Sequence, residues 1–136
     1  MMPEAAQATR AVDDRLSETR SHFRHLMERT RLAVAVVGLD GRILQVNSEI
    51  CDLLGYSETQ LLQMGFAEIT HPEDRGKSRA DFARMVDGTL DRHQTIKRYV
   101  HSDGRVFYCR RRAVAAPGID GRPRSFLVII DPVGAV

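Results

Sequence analysis

Arg110-Arg111-Arg112 is the longest run of like charge in the sequence. Three adjacent arginines on one surface would suit a phosphate backbone. The run lies inside Val106 to Ala116, however, which reads as a long strand, and successive side chains of a strand point to opposite faces. Arg110 and Arg112 then share a face with Val106, Tyr108 and Val114, while Arg111 shares the other with Phe107, Cys109, Ala113 and Ala115. The run is divided across a sheet, its aromatic neighbours are too few for a stacking platform, and nucleic acid is not an expected partner. A guanidinium on an apolar face needs a paired anion. Two sources are open: an internal Asp or Glu, or the carboxylate or phosphate of a ligand, which Arg binds bidentately.

Other chemistry is sparse. Cys51 and Cys109 each sit in an apolar run, far apart, and read as buried thiols rather than a disulfide framework. No short-spaced cluster of His, Cys and carboxylates suggests a metal. There is no nucleophile elbow, phosphate loop or His-Glu-x-x-His, so no catalytic residue is expected and the chain is expected not to be an enzyme. The start lacks the features of a signal peptide, and no apolar run reaches the roughly 18 residues of a spanning helix. A cytoplasmic, reducing location with no membrane partner is the expectation. With 136 residues and a net charge of +2, the chain suits one domain with no strong overall field.

The elements that must position Arg111 follow from periodicity and turn residues. Residues 1–11 are Ala-rich and polar and are expected to be disordered. Residues 12–31 form an amphipathic helix, with Val12, Leu16, Thr19, Phe23, Leu26 and Thr30 at alternating steps of four and three. That helix either lies on its own domain or pairs with its copy in a homodimer through Val12, Leu16, Phe23 and Leu26. Leu32–Leu39 is a short Val-rich run and reads as a buried strand. Asp40-Gly41 is a hairpin turn and Arg42–Val46 the partner strand.

Short helices fill the middle of the chain. Asn47 or Ser48 caps Glu49–Leu54, which Gly55 ends. Ser57 and Gln60 make a capping box. Phe66–Ile69 is another short turn or helix. Pro72 breaks the chain, and Asp74 is placed to cap a helix from Arg75 to Val86. Strands follow at Gln94–Val100, Val106–Ala116 and Ser125–Ile130, with Asp131-Pro132 as terminator. Strands flanking a block of helices indicate an α+β fold built on an antiparallel sheet.

In order and spacing, Leu39-Asp40-Gly41-Arg42-Ile43-Leu44, Val46-Asn47, Leu53-Leu54-Gly55-Tyr56-Ser57, Thr70-His71-Pro72-Glu73-Asp74, Lys97-Arg98-Tyr99, Asp103-Gly104 and Gly121-Arg122-Pro123 resemble a PAS domain of bacterial signalling proteins. The resemblance runs from about Arg24 to Val133. It implies a PAS-like sensory domain over residues 32–133, a five-stranded antiparallel sheet with short helices over one face, and a tail at 134–136. It also implies a cavity between sheet and helices. The resemblance further implies output to a kinase, cyclase or transcription regulator not visible in this chain, which is expected to be either a fragment or a module that acts alone. Asp131 stands at the Asp of the family's Asp-Ile-Thr exit signal, with Pro132 in place of Ile.

Haem-binding relatives often carry an axial His on the helix before the last three strands. Arg75–Leu90 has none: His22 and His25 lie on the first helix, His71 in a turn, and His93 and His101 in loops or strand ends. Neither cysteine stands in the Asn-Cys-Arg-Phe type of motif of flavin photosensors, and Trp is absent. Haem and flavin are therefore disfavoured, and no cofactor is assigned. Arg111 would point into the cavity. The expected site is a pocket for a small acidic or apolar ligand, lined by Leu54, Tyr56, Phe82, Phe107, Cys109 and Arg111. The alternative is a protein-interaction and dimerisation domain with a packed core and no ligand.

Overall fold

Asp-Gly-Arg occurs three times, and each copy closes a turn between strands. Gly41, Gly104 and Gly121 have φ of 84°, 93° and 79°, the left-handed region that glycine enters without steric cost. The preceding Asp accepts from the backbone N–H of the following Arg each time, at 3.0 Å from Arg42, 2.9 Å from Arg105 and 3.0 Å from Arg122. These Asx turns fix where each strand pair begins, and so which residues share a face.

The computed structural model describes residues 4–135, the side chains of Glu4, Asp13, Leu16 and Ala135 excepted. It divides at Thr30/Arg31 into two units. The first holds one helix, α1 (Glu4–Arg29). The second runs β1 (Ala33–Gly38), β2 (Ile43–Val46), α2 (Ser48–Leu54), α3 (Glu58–Leu61), α4 (Phe66–Ile69), a 3-10 turn (Pro72–Asp74), α5 (Arg75–Val86), β3 (Arg92–Val100), β4 (Val106–Pro117) and β5 (Pro123–Ala135). Its five strands form one antiparallel sheet in the order β2-β1-β5-β4-β3. The helices enter the chain between β2 and β3, and α2, α3 and α5 pack on β1, β2 and β3.

Two apolar clusters fill the space between helices and sheet. One gathers Ile50, Leu54, Leu61, Ile69, Tyr99, Cys109 and Ile130 with their neighbours. The other gathers Met85, Ala113 and Phe126, with Phe82, Val86 and Leu90 packed against them. Phe82 meets Phe66 at 4.8 Å and Phe126 edge-on at 5.3 Å between ring centroids, within the range where aromatic pairs attract.

Asn47 joins the strands to α2. Its buried Oδ1 accepts from Ile50 N–H at 3.1 Å and Val34 N–H at 3.0 Å, and its Nδ2 donates to the Leu32 carbonyl at 2.7 Å. Gly55 ends α2 at φ 77°, and a Cβ there would collide with the His101 ring and Ser102 Oγ. The capping box of Ser57 and Gln60 closes in both directions, at 3.1 and 2.9 Å.

Three expectations need correction. Helix α1 begins at Glu4, inside the stretch expected to be disordered, because Ala5, Ala6 and Ala8 are strong helix formers. Asp74 makes no side-chain cap to α5; its carboxylate turns to Arg98 instead. Asp131-Pro132 does not end β5, which runs on to Ala135 through the expected tail. β1 leaves β5 after the Ala33–Ile130 pair, and Pro132 sits beside a register shift in the β4 pairing. There a missing N–H breaks no ladder.

Replacing Asn47 by Ala removes a cap and leaves the buried Val34 N–H without its acceptor. The variant should unfold with a free energy lower by about 2–3 kcal/mol in urea melts. A loss below about 0.5 kcal/mol would show that Asn47 does not join these elements.

Candidate functional site

Alternation along β4 is as the sequence implies: Cys109, Arg111 and Ala113 are buried on one face while Tyr108, Arg112 and Val114 are exposed on the other. The β3–β4 register sets Lys97 opposite Cys109 and Thr95 opposite Arg111. Lys97 and Arg111 are therefore diagonal neighbours on the helix-covered face. Each is only 7% exposed.

Between the two clusters lies a cavity of about 50 Å³. Ala35, Ile50, Tyr99, Ala113, Phe126 and Ile130 supply much of its apolar wall, and Phe66, Ser78, Phe82 and Met85 its helical side. Lys97 and Arg111 are the charged residues lining it. Of the expected pocket residues, Phe82 and Arg111 stand on the wall. Leu54, Tyr56, Phe107 and Cys109 do not; they pack in the first cluster, beside the cavity. Neither cysteine faces the space, and burial beside Asp131 pushes the Cys109 thiol up to about 12, far from a reactive thiolate.

Lys97 Nζ donates to Thr70 Oγ1 and Ser78 Oγ, both at 3.1 Å. Thr70 spends its own hydroxyl proton on the Phe66 carbonyl at 2.8 Å, so its oxygen is free to accept. The amine lies 5.0 Å from the Tyr99 ring centroid and 5.6 Å from that of Phe66. Burial, with Arg111 nearby, lowers its pKa from 10.5 to about 7. Arg111 Nη2 donates to His93 Nδ1 at 2.9 Å. A guanidinium can only donate, so Nδ1 accepts and His93 is neutral with its proton on Nε2. Burial and Arg111 also push the His93 pKa down. Its Nε2 faces Asp81 Oδ2 at 3.8 Å.

Among the described residues, no carboxylate comes within 4.0 Å of Lys97 Nζ or the Arg111 guanidinium. The two acids whose charge is felt at Lys97 are held elsewhere. Asp81 pairs with Lys77 at 3.0 Å. Asp74 takes Arg98 Nη2 at 2.8 Å, Nε at 3.1 Å and backbone N–H at 2.8 Å, while Glu73 takes Nη1 at 3.1 Å. These bonds hold the Asp74 carboxyl down at about 2. They also tie the His71-Pro72-Glu73-Asp74 turn and the start of α5 to β3, as does His71 N–H to the Arg98 carbonyl at 2.9 Å.

Lys97 and His93 are not among the pocket residues expected from sequence. A lysine amid Ile96, Arg98 and Tyr99 looks like a solvated strand position. Counting back from the Asp103-Gly104 turn would have placed it opposite Cys109. Among the described residues, no group of His, Cys, Asp and Glu could hold a metal ion. Nor is any helix there long and apolar enough to cross a membrane.

A family model described as the PAS fold matches residues 43–130. The chain is 31% identical over 133 residues to a probable diguanylate cyclase, DgcE, of Escherichia coli K12, covering 98% of this chain and 12% of that protein. It is 21% identical over 119 residues to the sensor histidine kinase TmoS of Ectopseudomonas mendocina, covering 87% and 12%. It therefore spans about an eighth of each of these relatives. The crystal structure of a PAS domain from Colwellia psychrerythraea superposes with a TM-score of 0.75 at 19% identity, covering 87% of this chain and 97% of that one. At that identity the likeness is one of fold.

Lys97 binds fewer protons in the folded than in the unfolded chain between about pH 7 and 10.5. Its contribution to stability therefore rises with pH across that window and is flat below it. Lys97→Met should flatten this rise and add on the order of a few kcal/mol at neutral pH in urea melts. A variant less stable than the parent, with the rise intact, would show that the amine is not desolvated.

Proposed function

The chain belongs to the PAS fold family, and from that premise we propose that it is the non-catalytic sensory and dimerisation module of a bacterial signalling protein. It regulates an output domain or partner of the cyclase, kinase or transcription-regulator kind through the contents of its cavity. One observation carries this reading. The core between sheet and helices is not filled, and the unfilled space is bounded by buried charge rather than by apolar atoms alone. A packed, inert core gains nothing from two desolvated cations.

The route outward follows β5. Ile130 stands on the cavity wall, and the next residue, Asp131, is exposed on the other face, opposite Arg110 in β4. A shift of Ile130 on filling the cavity moves Asp131 with it, which suits Asp131 as signal exit. The similarity to DgcE and TmoS supports outputs of the cyclase and kinase kinds.

The dimer reading rests on α1, where Val12, Phe23 and Leu26 are 54%, 38% and 53% exposed. The side chain of Leu16, the fourth expected contact, lies outside the described residues. Large apolar side chains left exposed in heptad spacing suit a second copy of the helix. Cys51 and Cys109 are not joined in a disulfide, which suits a reducing cytoplasm.

Native mass spectrometry and absorbance of the purified chain test both parts. The expected result is a colourless dimer that carries a small bound mass under gentle ionisation. Phe23→Asp with Leu26→Asp should leave a folded monomer. A haem or flavin spectrum would overturn the assignment of the cavity, and a wild-type monomer at all concentrations would overturn the dimer.

A further inference from the structure

Lys97 and Arg111 face one small cavity from neighbouring strands, and each lacks a carboxylate partner among the described residues. The compensation that is present is neutral: two hydroxyls for Lys97 and an uncharged imidazole for Arg111. Asp74 and Asp81, the acids whose charge is felt at Lys97, are engaged by Arg98 and Lys77, and neither pairs with the amine. Buried cations in this position are ordinarily matched by an anion.

We propose that the cavity is a receptor for a small planar oxyanion, a carboxylate or its equivalent, held between the Arg111 guanidinium and the Lys97 ammonium. This deepens the sensory reading and rests on it. The size follows from the space. About 50 Å³ admits on the order of four water-sized bodies, and so an anion such as acetate, nitrate or bicarbonate. The apolar wall of Ala35, Ala113, Phe126 and Ile130 lies around the same space and takes a methyl group better than a second charge.

Binding has a proton count. The two N–H bonds of a neutral Lys97 amine are used on Thr70 and Ser78. Protonation supplies a third donor, which is left to face the anion. The groups around the amine are Arg111 on β4, Asp74 in the turn, Lys77 and Asp81 on α5, and the Tyr99 and Phe66 rings. Burial and Arg111 oppose protonation most, Asp74 and Asp81 favour it, and Lys77 opposes it least. An anion in the cavity adds the missing favourable charge. The anion and one proton therefore enter together, and the site reports acidity as well as ligand concentration.

The test uses the full chain. Sodium acetate, nitrate and bicarbonate, with chloride as control, are titrated while amide shifts of Ala113, Phe126 and Ile130 are followed by NMR. Binding heat is measured in buffers of different ionisation enthalpy. At least one planar anion should bind with uptake of one proton per site above the Lys97 value of about 7, weakening about tenfold for each further pH unit. Lys97→Met should weaken binding at least tenfold and abolish both the proton uptake and the pH slope, and it should fold well because it removes a desolvated amine. Arg111→Lys should retain more affinity than Arg111→Met. The proposal is overturned if none of the three anions shifts these amides, or if both methionine variants bind as the parent does. An uncharged co-purifying ligand that shifts the same amides would also overturn it while leaving the sensory reading intact. A chain whose cavity amides respond to neither anions nor neutral compounds would remove both.

Discussion

Taking a guanidinium and an amine out of water costs more than hydrogen bonds to neutral groups return, and this chain does it twice around one cavity. The remaining arrangement lessens that cost without removing it. Thr70 and Ser78 accept from Lys97, and neutral His93 accepts from Arg111. The amine gives up part of its charge near neutral pH. An internal ion pair would have settled the matter, yet the two acids whose charge is felt at Lys97 do not form one with it. Asp74 is instead turned onto Arg98 and Asp81 onto Lys77. That missing charge is what the proposed anion would supply.

Those same diversions hold the cup together. The Asp74–Arg98 pair and the His71 backbone bond fasten the start of α5 to β3. Ser78 and Phe82 on α5 are thereby carried over Lys97 and the aromatic cluster. On the other side, Asn47 ties α2 to β1 and β2, which places Ile50 against the wall. The sheet contributes through alternation: β3 sends Lys97 and Tyr99 inward, β4 sends Arg111 and Ala113, and β5 sends Phe126 and Ile130. This geometry sets Ile130 on the cavity wall and Asp131 next to it along β5, the arrangement on which the proposed signal exit rests.

Most of the fold was legible because its signals are local. Asp-Gly turns, the Asn47 and Ser57 caps and Gly55 each fix backbone within a few residues, and the strands between them have little freedom of register. The first helix was legible in type and not in extent, since an Ala-rich polar segment carries propensity without an apolar stripe. Pro132 read as a stop because its tolerance depends on β1 having already left that part of β5, a non-local fact.

The site was half legible. Alternation around Arg111 turned it inward, and Phe82 followed from the helix above. Phe107 and Cys109 share the covered face of β4 with Arg111, and Leu54 and Tyr56 come from α2 and the turn after it, yet all four belong to the first cluster and not to the cavity wall. Which part of a covered face stays unfilled depends on side chains meeting from eight elements, and no strand pattern encodes that. Lys97 was hidden by its type: a charged residue between Ile96 and Arg98 suggests solvent until the hairpin register is counted.

The central claim is that the cavity lacks one negative charge, and the charge state of Lys97 reports this most directly. Side-chain NMR of isotopically labelled lysine, followed through pH with and without acetate, measures it. The account predicts that Lys97 loses its proton near pH 7 in the anion-free chain and holds it to distinctly higher pH when acetate is bound. An ordinary lysine titration near 10.5, or a curve that acetate does not move, would contradict the account.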